Sequence, residues 1–224
     1  SFGIGQKAQW TAQSIQYLEQ STCFQVFKLG KLWGQFEIPL AGSFNVKNAL
    51  AALICANYLG LSKESITQGL LDFKSVKRRL ELRGESRGIM IFDDFAHHPT
   101  AISSTLAALK TRFPRNRLWA IFEPRSATAR RQIFQSEFSR CFANADHVVL
   151  SSIFAPEKLA LHLRLNLDLL VEDLRKQGLQ AICLSSASEI VKYIAPQLLP
   201  GDKVVIMSNG NFDDIHNKLL DAIS

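Results

Sequence analysis

The first forty residues show the composition of β-structure. Two runs, Thr22 to Leu29 and Leu32 to Ile38, are rich in Phe, Val, Trp and Ile. They flank Gly30 and Lys31, and two such runs around a short glycine-containing segment predict a β-hairpin. The amino-terminal part of the chain is therefore expected to contain an antiparallel pair of strands.

Helical spacing follows this β-rich start. From Asn45 to Tyr58 the apolar side chains fall on one face of a helix, and Gly60 stands where a carboxyl-cap glycine belongs. Ser62 predicts the N-cap of a second helix, which continues to Leu71. Two helices are therefore expected between residues 45 and 71.

Beyond Leu80, short apolar runs alternate with amphipathic segments. This alternation predicts a mainly parallel sheet with helices on both faces, which is a Rossmann-like α/β domain. We place the domain boundary within Lys74 to Arg79, giving domains of 1–78 and 79–224. The predicted strands are centred on residues 89–92, 118–122, 147–150, 181–184 and 204–207, with helices near 100–112, 130–142, 166–177, 187–198 and 212–222.

Bulk composition excludes several classes of protein. The net charge is +6, but 26 basic residues are spread among 20 acidic ones, so an anionic small-molecule substrate explains the charge better than nucleic acid does. No apolar run approaches the roughly 20 residues of a membrane span. The four cysteines lie far apart in apolar segments, which predicts buried free thiols in a reducing cytoplasm rather than a zinc or redox site.

Polar segments follow the predicted strands, and ligands of such sheets bind beyond the carboxyl ends of the strands. The densest of these segments contains two aspartates and two histidines. A carboxylate there can accept hydrogen bonds from a ribose or bind a magnesium-bound water, or it can simply cap the next helix. The segments are Asp93 to Thr100, Glu123 to Thr128, Ser151 to Glu157 and Ser208 to Phe212.

Four segments together resemble the Mur ligases, the ATP-dependent amide-forming enzymes of peptidoglycan synthesis. Asp93 to Thr100 resembles the family's D-D-[YF]-x-H-H-P loop, and Arg78 to Glu81 resembles its R-R-x-E/Q interdomain link. Gly42 to Ala49 resembles the G-x-H-N-x-x-N-A segment, although Phe44 replaces the histidine. Met207 to His216 resembles the M-S-N-G ending. This ending and Phe122 to Ser126 are most similar to the members that act on a murein tripeptide.

The resemblance implies roles for individual residues. Asn45 and Asn48 would lie near the adenine of ATP, Arg79 near its ribose or phosphates, and Asp94 at the ribose, with His97 supporting the same loop; Asp94 and His97 are the candidate catalytic residues. Arginine pairs with carboxylates through two parallel hydrogen bonds, so Arg125 is a candidate for holding the incoming peptide. The other candidates for that site are Ser126, Thr128, Ser208, Asn209 and His216. A surface salt bridge for Arg125 and a tight turn at Asn209 remain open alternatives.

By this resemblance, the whole protein would use ATP and Mg²⁺ to activate the carboxylate of UDP-N-acetylmuramate. The amine of L-Ala-γ-D-Glu-meso-diaminopimelate would then attack the acyl phosphate. No phosphate loop of the form G-x-x-x-x-G-K-[ST] occurs, since Gly3 to Lys7 is too short. That loop, the main magnesium ligands and a UDP-sugar domain are expected to precede Ser1, so the chain alone should be inactive. The alternatives are an L-alanine ligase and a non-catalytic protein that binds muropeptides or nucleotides.

Overall fold

The computed structural model describes residues 1–5 and 8–224, which form two compact units. The first unit comprises Ser1–Val76 with Thr111–Pro114, and the second comprises Lys77–Lys110 with Arg115–Ser224. Gln6 and Lys7, which end the glycine-containing segment compared above with a phosphate loop, lie outside the described residues. Within the described part of the chain, no helix has the length and apolar character needed to cross a membrane.

The first unit is a four-stranded sheet with two helices. The strand order is β1-β2-β3-β4, with β1 parallel to β2 and the other pairs antiparallel. One helix face packs against the sheet, because α1 places Val46, Ala49, Leu50 and Leu53 in the same core as Phe24 and Val26. The elements are β1 (Phe2–Ile4), β2 (Trp10–Tyr17), β3 (Thr22–Lys28), β4 (Lys31–Ile38), α1 (Ser43–Tyr58) and α2 (Lys63–Leu71).

The predicted hairpin is present, but its turn lies one residue earlier than the sequence indicated. Leu29 and Gly30 form the turn, with φ angles of 51° and 78°, whereas Lys31 already belongs to β4. Two consecutive positive φ angles are typical of the turns that match strand twist. Gly30 meets this requirement without strain, whereas the side chain of Leu29 gave no signal for it in the sequence.

The carboxyl end of α1 and the start of α2 lie where the sequence predicts them. Gly60 has a φ of 82° just after α1, and the hydroxyl of Ser62 accepts a hydrogen bond from the backbone N–H of Ser65 at 3.1 Å. The start of α1 at Ser43, two residues before the predicted Asn45, follows Gly42, which has a φ of 92° and offers no side-chain cap.

The second unit contains a six-stranded sheet with the order β5-β6-β10-β7-β8-β9. Strand β5 is antiparallel to β6, and all other neighbouring pairs are parallel. This confirms the predicted mainly parallel α/β fold. The elements are β5 (Glu81–Ser86), β6 (Ile89–Asp94), α3 (Pro99–Arg112), β7 (Leu118–Phe122), α4 (Gln135–Cys141), β8 (His147–Ser151), α5 (Leu167–Lys176), β9 (Gln180–Leu184), α6 (Ala187–Ile194), β10 (Lys203–Met207) and α7 (Ile215–Ala222).

The central strands of this sheet are almost completely buried. Every residue of β7, β8 and β10 is buried, as the continuous apolar runs predicted. Helices α6 and α7 pack on one face in a core that includes Ile190, Ile206 and Leu219. This rigid sheet fixes the positions of the loops that leave its carboxyl edge.

Two expectations need correction. The segment near 130–142 is a 3-10 turn (Gln132–Phe134) followed by a helix of 7 residues, and α7 is preceded by a 3-10 turn whose three residues all have positive φ. The cysteines are free, but only Cys141 is buried, and Cys55 is exposed. Cys55 has apolar neighbours in the sequence, but on α1 Leu53 faces the core whereas Cys55 faces away from it.

Candidate functional site

The candidate site lies at the carboxyl edge of the parallel sheet in the second unit. Met207 of β10 is level with Asp94 of β6 on one side and with Phe122 of β7 on the other. The loops that follow these three strands therefore leave the sheet side by side. Polar residues that are far apart in sequence meet there for this reason.

A buried carboxylate, Asp93, lies close to two arginines and a histidine. The Nε of Arg78 lies 3.3 and 3.2 Å from its two oxygens. Arg83 is 3.8 Å away, and Nε2 of His216 lies 3.4 Å from Oδ1. Burial by itself raises the pKa of Asp93, but His216 and Arg78 outweigh it, so the pKa lies below its ordinary value. Asp93 is therefore a fixed negative charge at neutral pH.

Arg78 also connects two of the loops. Its second guanidinium nitrogen donates to the carbonyl oxygens of Ser208 at 2.6 Å and Gly210 at 2.8 Å. Its own backbone has a φ of 59°, and its N–H donates to the carboxylate of Glu81 at 2.8 Å. Arg78 thus holds the loop after β10 against the end of β6.

Asp94 has a different role from its neighbour. Its Oδ2 accepts from the backbone N–H of Leu80 and its Oδ1 from that of Ala96, both at 2.8 Å, and Thr105 is 3.3 Å from Oδ1. Burial raises the pKa of this carboxyl, and these donors only partly oppose the increase. Asp94 therefore secures the connection to β5 and the loop after β6.

The two histidines of this loop face different surroundings. Nδ1 of His97 is 2.9 Å from the carbonyl oxygen of Phe95, and the rings of these two residues meet edge to face. Nδ1 of His98 accepts from the backbone N–H of Thr100 at 3.3 Å. His98 thus lies where an N-cap side chain would act for α3, which begins at Pro99. His97 contacts Phe95 within its own loop.

A second buried carboxylate, Glu123, lies directly after β7. It accepts a hydrogen bond from the hydroxyl of Ser208 at 2.5 Å, and that hydroxyl also accepts from the backbone N–H of Gly210 at 2.9 Å. Glu123 lies 3.5 Å from the guanidinium of Arg125. Ser208 is therefore a buried link between the loops after β7 and β10.

Arg125 is half-buried, and its guanidinium lies in a slot between the ring of Phe154 and the backbone of Gly210. Its central carbon is 3.6 Å from the centre of the Phe154 ring. On another side, a Cβ added at Gly210 would lie 2.2 to 2.5 Å from three atoms of the Arg125 side chain. The side chain is 30% exposed, so it is held in place but is open to a ligand.

The other predicted substrate residues divide into buried and exposed groups. The hydroxyl of Ser126 accepts from the backbone N–H of Ala129 at 3.0 Å, whereas Thr128 is exposed. Asn209 has a buried side-chain oxygen without a hydrogen-bond partner among the described residues, and His216 is buried against Asp93. The structure thus brings Arg125, Ser208, Asn209 and His216 into one region and places Thr128 at its surface.

The predicted adenine residues lie in the first unit. The amide nitrogen of Asn45 donates to the carbonyl oxygen of Ala41 at 2.7 Å, and the side chain of Asn48 is exposed on α1. In the second unit, Arg79 is exposed, and its charge partly opposes the increase in the pKa of Asp94 that burial causes. In the described parts of the chain, no group of three or more His, Cys, Asp or Glu side chains is arranged to hold a metal ion.

Several residues of this region were not among the sequence candidates. They are Arg78, Asp93, Glu123, Phe154 and Gly210, and each lies in or beside a polar segment that follows a strand or in the interdomain link. Their positions were therefore visible in the sequence. Their contacts were not, because they depend on the order of the strands.

The sheet order and the helices that cover it define a Rossmann-like α/β domain. The family model "Mur ligase, glutamate ligase domain" matches residues 78–210, and the model "Mur ligase middle domain" matches residues 1–56. The chain belongs to the Mur ligase family.

Two curated relatives are UDP-N-acetylmuramate–L-alanine ligases. The protein from Cyanothece sp. is 38% identical over 96% of this chain and 45% of its own length. The protein from Desulfitobacterium hafniense is 32% identical over 98% of this chain and 49% of its own length. The chain thus spans about half the length of the curated relatives that it matches.

Solved structures agree with this assignment. The UDP-N-acetylmuramate–alanine ligase of Thermotoga maritima superposes with a TM-score of 0.82 at 22% identity, covering 98% of this chain and 46% of that chain, which shows the shared fold. A murein peptide ligase from Psychrobacter arcticus has a TM-score of 0.64 at 33% identity and covers 99% of this chain and 45% of that chain.

Proposed function

We propose that this chain is part of an ATP-dependent ligase that forms an amide bond on UDP-N-acetylmuramate during peptidoglycan synthesis. The observation that carries this proposal is Arg125, whose guanidinium is held at the carboxyl edge of the sheet yet is open to a ligand. In this proposal the second unit binds the incoming amine substrate through its carboxylate. The family assignment supplies the reaction class.

L-Alanine is the first candidate for the incoming amine. The curated relatives named above act on L-alanine according to their names, and they favour this substrate over the tripeptide that the sequence segments alone suggested. We therefore change the order of the two candidates given in the sequence analysis.

L-Ala-γ-D-Glu-meso-diaminopimelate, which would imply a role in recycling the wall, is the second candidate. Two observations favour it: the 33% identity to a murein peptide ligase over 99% of this chain, and the segment Glu123-Pro124-Arg125-Ser126. Both candidates carry a carboxylate that Arg125 can bind through two hydrogen bonds.

The residues proposed for ATP fit this role unequally. Asn48 and Arg79 are exposed, so their side chains can reach a nucleotide, and the amide of Asn45 is oriented by its bond to Ala41. Both oxygens of Asp94 already accept backbone hydrogen bonds. We propose that Asp94 acts by holding its loop, with His97, rather than by direct contact alone.

When bound with Mg²⁺, ATP would supply the phosphoryl group that activates the sugar carboxylate. We assign no magnesium ligand within the described residues. The contribution of this chain is to bind and orient the amine: Arg125 pairs with its carboxylate, and Glu123 and Ser208 form the adjacent buried wall. Such fixed positioning raises the rate, because the entropy cost of bringing the reactants together is met when the amine binds rather than in the reaction step.

The proposal is tested with the complete ligase that contains this segment. Phosphate release from ATP is measured with UDP-N-acetylmuramate and either L-alanine or the tripeptide. Faster release with one amine identifies the substrate, and Arg125→Ala should raise KM for that amine. Activity with neither amine, combined with binding of nucleotide or muropeptide, would instead support the non-catalytic alternative.

A further inference from the structure

Phe154 is an exposed aromatic residue with a specific contact. It follows β8 in a loop that the sequence analysis did not assign to the substrate site, and its side chain remains 41% exposed. The guanidinium carbon of Arg125 lies 3.6 Å from the centre of its ring. A cation placed at this distance is attracted by the electron-rich face of the ring. An exposed ring held against a candidate ligand-binding arginine suggests a role at that site.

Gly210 forms the second wall around Arg125. A Cβ at this position would lie 2.2 Å from Nε, 2.3 Å from Cδ and 2.5 Å from Cζ of Arg125. These separations are far below van der Waals contact, so any residue larger than glycine would displace the guanidinium. The need for glycine here comes from the space that Arg125 occupies.

Two other arginines donate hydrogen bonds to the backbone on the two sides of Arg125. Arg130 donates to the carbonyl oxygens of Phe154 and Ala155, each at 3.2 Å. Arg78 donates to the carbonyl oxygen of Gly210 at 2.8 Å. The backbone N–H of Phe154 also bonds to the carbonyl oxygen of Pro124 at 3.1 Å. The slot that holds the Arg125 guanidinium, between the Phe154 ring and Gly210, is therefore fixed by hydrogen bonds on both sides.

We propose that Phe154 is a positioning residue for the amine substrate, and that together with Gly210 it fixes Arg125 for two-point pairing with a carboxylate. This inference rests on the proposed function, because it assigns the ligand of Arg125 as the carboxylate of the incoming amine. Phe154 acts only through Arg125. It restricts the guanidinium before the ligand arrives, so less conformational freedom is lost on binding.

The slot itself is tested by NMR on the 224-residue chain. The ring of Phe154 should shift the Arg125 Nε–Hε resonance upfield, and Arg125→Lys assigns that resonance by removing it. Phe154→Leu should abolish the upfield shift, and Phe154→Tyr, which keeps the ring, should preserve it. A resonance that is unchanged in Phe154→Leu overturns the slot, whether or not the chain has the proposed function.

The positioning role is tested by steady-state kinetics of the complete ligase with L-alanine and with the tripeptide. Phe154→Leu should raise KM for the accepted amine about tenfold and leave KM for ATP unchanged. Phe154→Tyr should restore the original KM, and Gly210→Ala should raise it as Phe154→Leu does. The control is Leu199→Ala, which shortens an exposed apolar side chain beside the start of β10, at the opposite edge of the sheet.

The outcomes separate the two proposals. A wild-type ligase that joins neither amine overturns the proposed function, while the NMR comparison still reports on the slot. An active ligase in which Arg125→Ala raises the amine KM but Phe154→Leu does not overturns the positioning role alone. Equal effects of Phe154→Leu and Phe154→Tyr would also overturn it, because the ring would then not be the feature that matters.

Discussion

Trp119 and His147 stack in parallel, with ring centres 3.7 Å apart and planes inclined by 5°. Burial lowers the pKa of His147 below its ordinary value of 6.5, and the nearby Arg117 adds to the effect, against the opposing charges of Asp146 and Asp202. The folded state therefore favours the neutral imidazole. His147 is therefore a neutral aromatic member of the core beside Trp119.

This stack predicts a loss of stability in mild acid. Since the folded pKa is depressed, the contribution of His147 is present above about pH 6.5 and is lost as the pH falls through the folded value. His147→Phe keeps an aromatic ring and removes the titration, so it should reduce the pH dependence of the urea midpoint between about pH 7.5 and pH 5. The exposed His162 provides the control His162→Gln. An unchanged pH dependence in His147→Phe would contradict the prediction.

Arg78→Ala should destabilise the second unit. It leaves the buried carboxylate of Asp93 without its nearest cation and removes two hydrogen bonds to the loop after β10. We expect a loss of about 2–4 kcal/mol in the free energy of unfolding, measured by urea denaturation. Arg83→Ala removes a more distant cation, 3.8 Å away, and should cost less than about 1 kcal/mol. Equal losses in the two variants would disprove the role of Arg78.

Arg125→Ala should raise KM for the amine substrate about 10- to 100-fold in the complete ligase. Arg125→Lys should raise it nearly as much, because an ammonium group cannot form the paired hydrogen bonds of a guanidinium. KM for ATP should be unchanged in both. Arg87→Ala removes an exposed arginine beside the Gly88 turn that joins β5 to β6, and it controls for the loss of charge. A normal amine KM in Arg125→Ala would remove Arg125 from the site.

Ser62→Ala should destabilise α2 by about 1 kcal/mol, because it removes the hydroxyl that accepts from the N–H of Ser65. The matched control is Ser65→Ala, which keeps that N–H and loses only a bond between two exposed hydroxyls. Thermal denaturation of the two variants gives the comparison. Similar melting temperatures would show that the cap contributes little.

Much of the fold could be predicted because its signals are local. Continuous apolar runs marked β7, β8 and β10, and Ser62 and Gly60 marked helix ends through their own side chains or backbone freedom. By contrast, the turn at Leu29 adopts a positive φ that nothing in its side chain indicates. The edge strand β5 (Glu81–Ser86) was not predicted, since its burial pattern is mostly exposed.

The candidate site was predictable only in part. Arg125 and Ser208 follow strands, and this position together with the family resemblance marked them as candidates. The bond from Arg78 to the carbonyl oxygen of Ser208 spans 130 positions, and it exists only because β10 lies between β6 and β7. Phe154 lies in a loop without periodicity, so its contact with Arg125 could be seen only in three dimensions.

The position of β10 also has a consequence for how the protein is made. Strand β10 follows β7, β8 and β9 in the chain but lies between β6 and β7 in the sheet. During synthesis, β6 and β7 therefore lack their shared neighbour until β8 and β9 have already been made. A nascent chain that ends at β9 also lacks Ser208 and Gly210, so the surroundings of Arg125 are completed only after the four strands from β6 to β9 have been made.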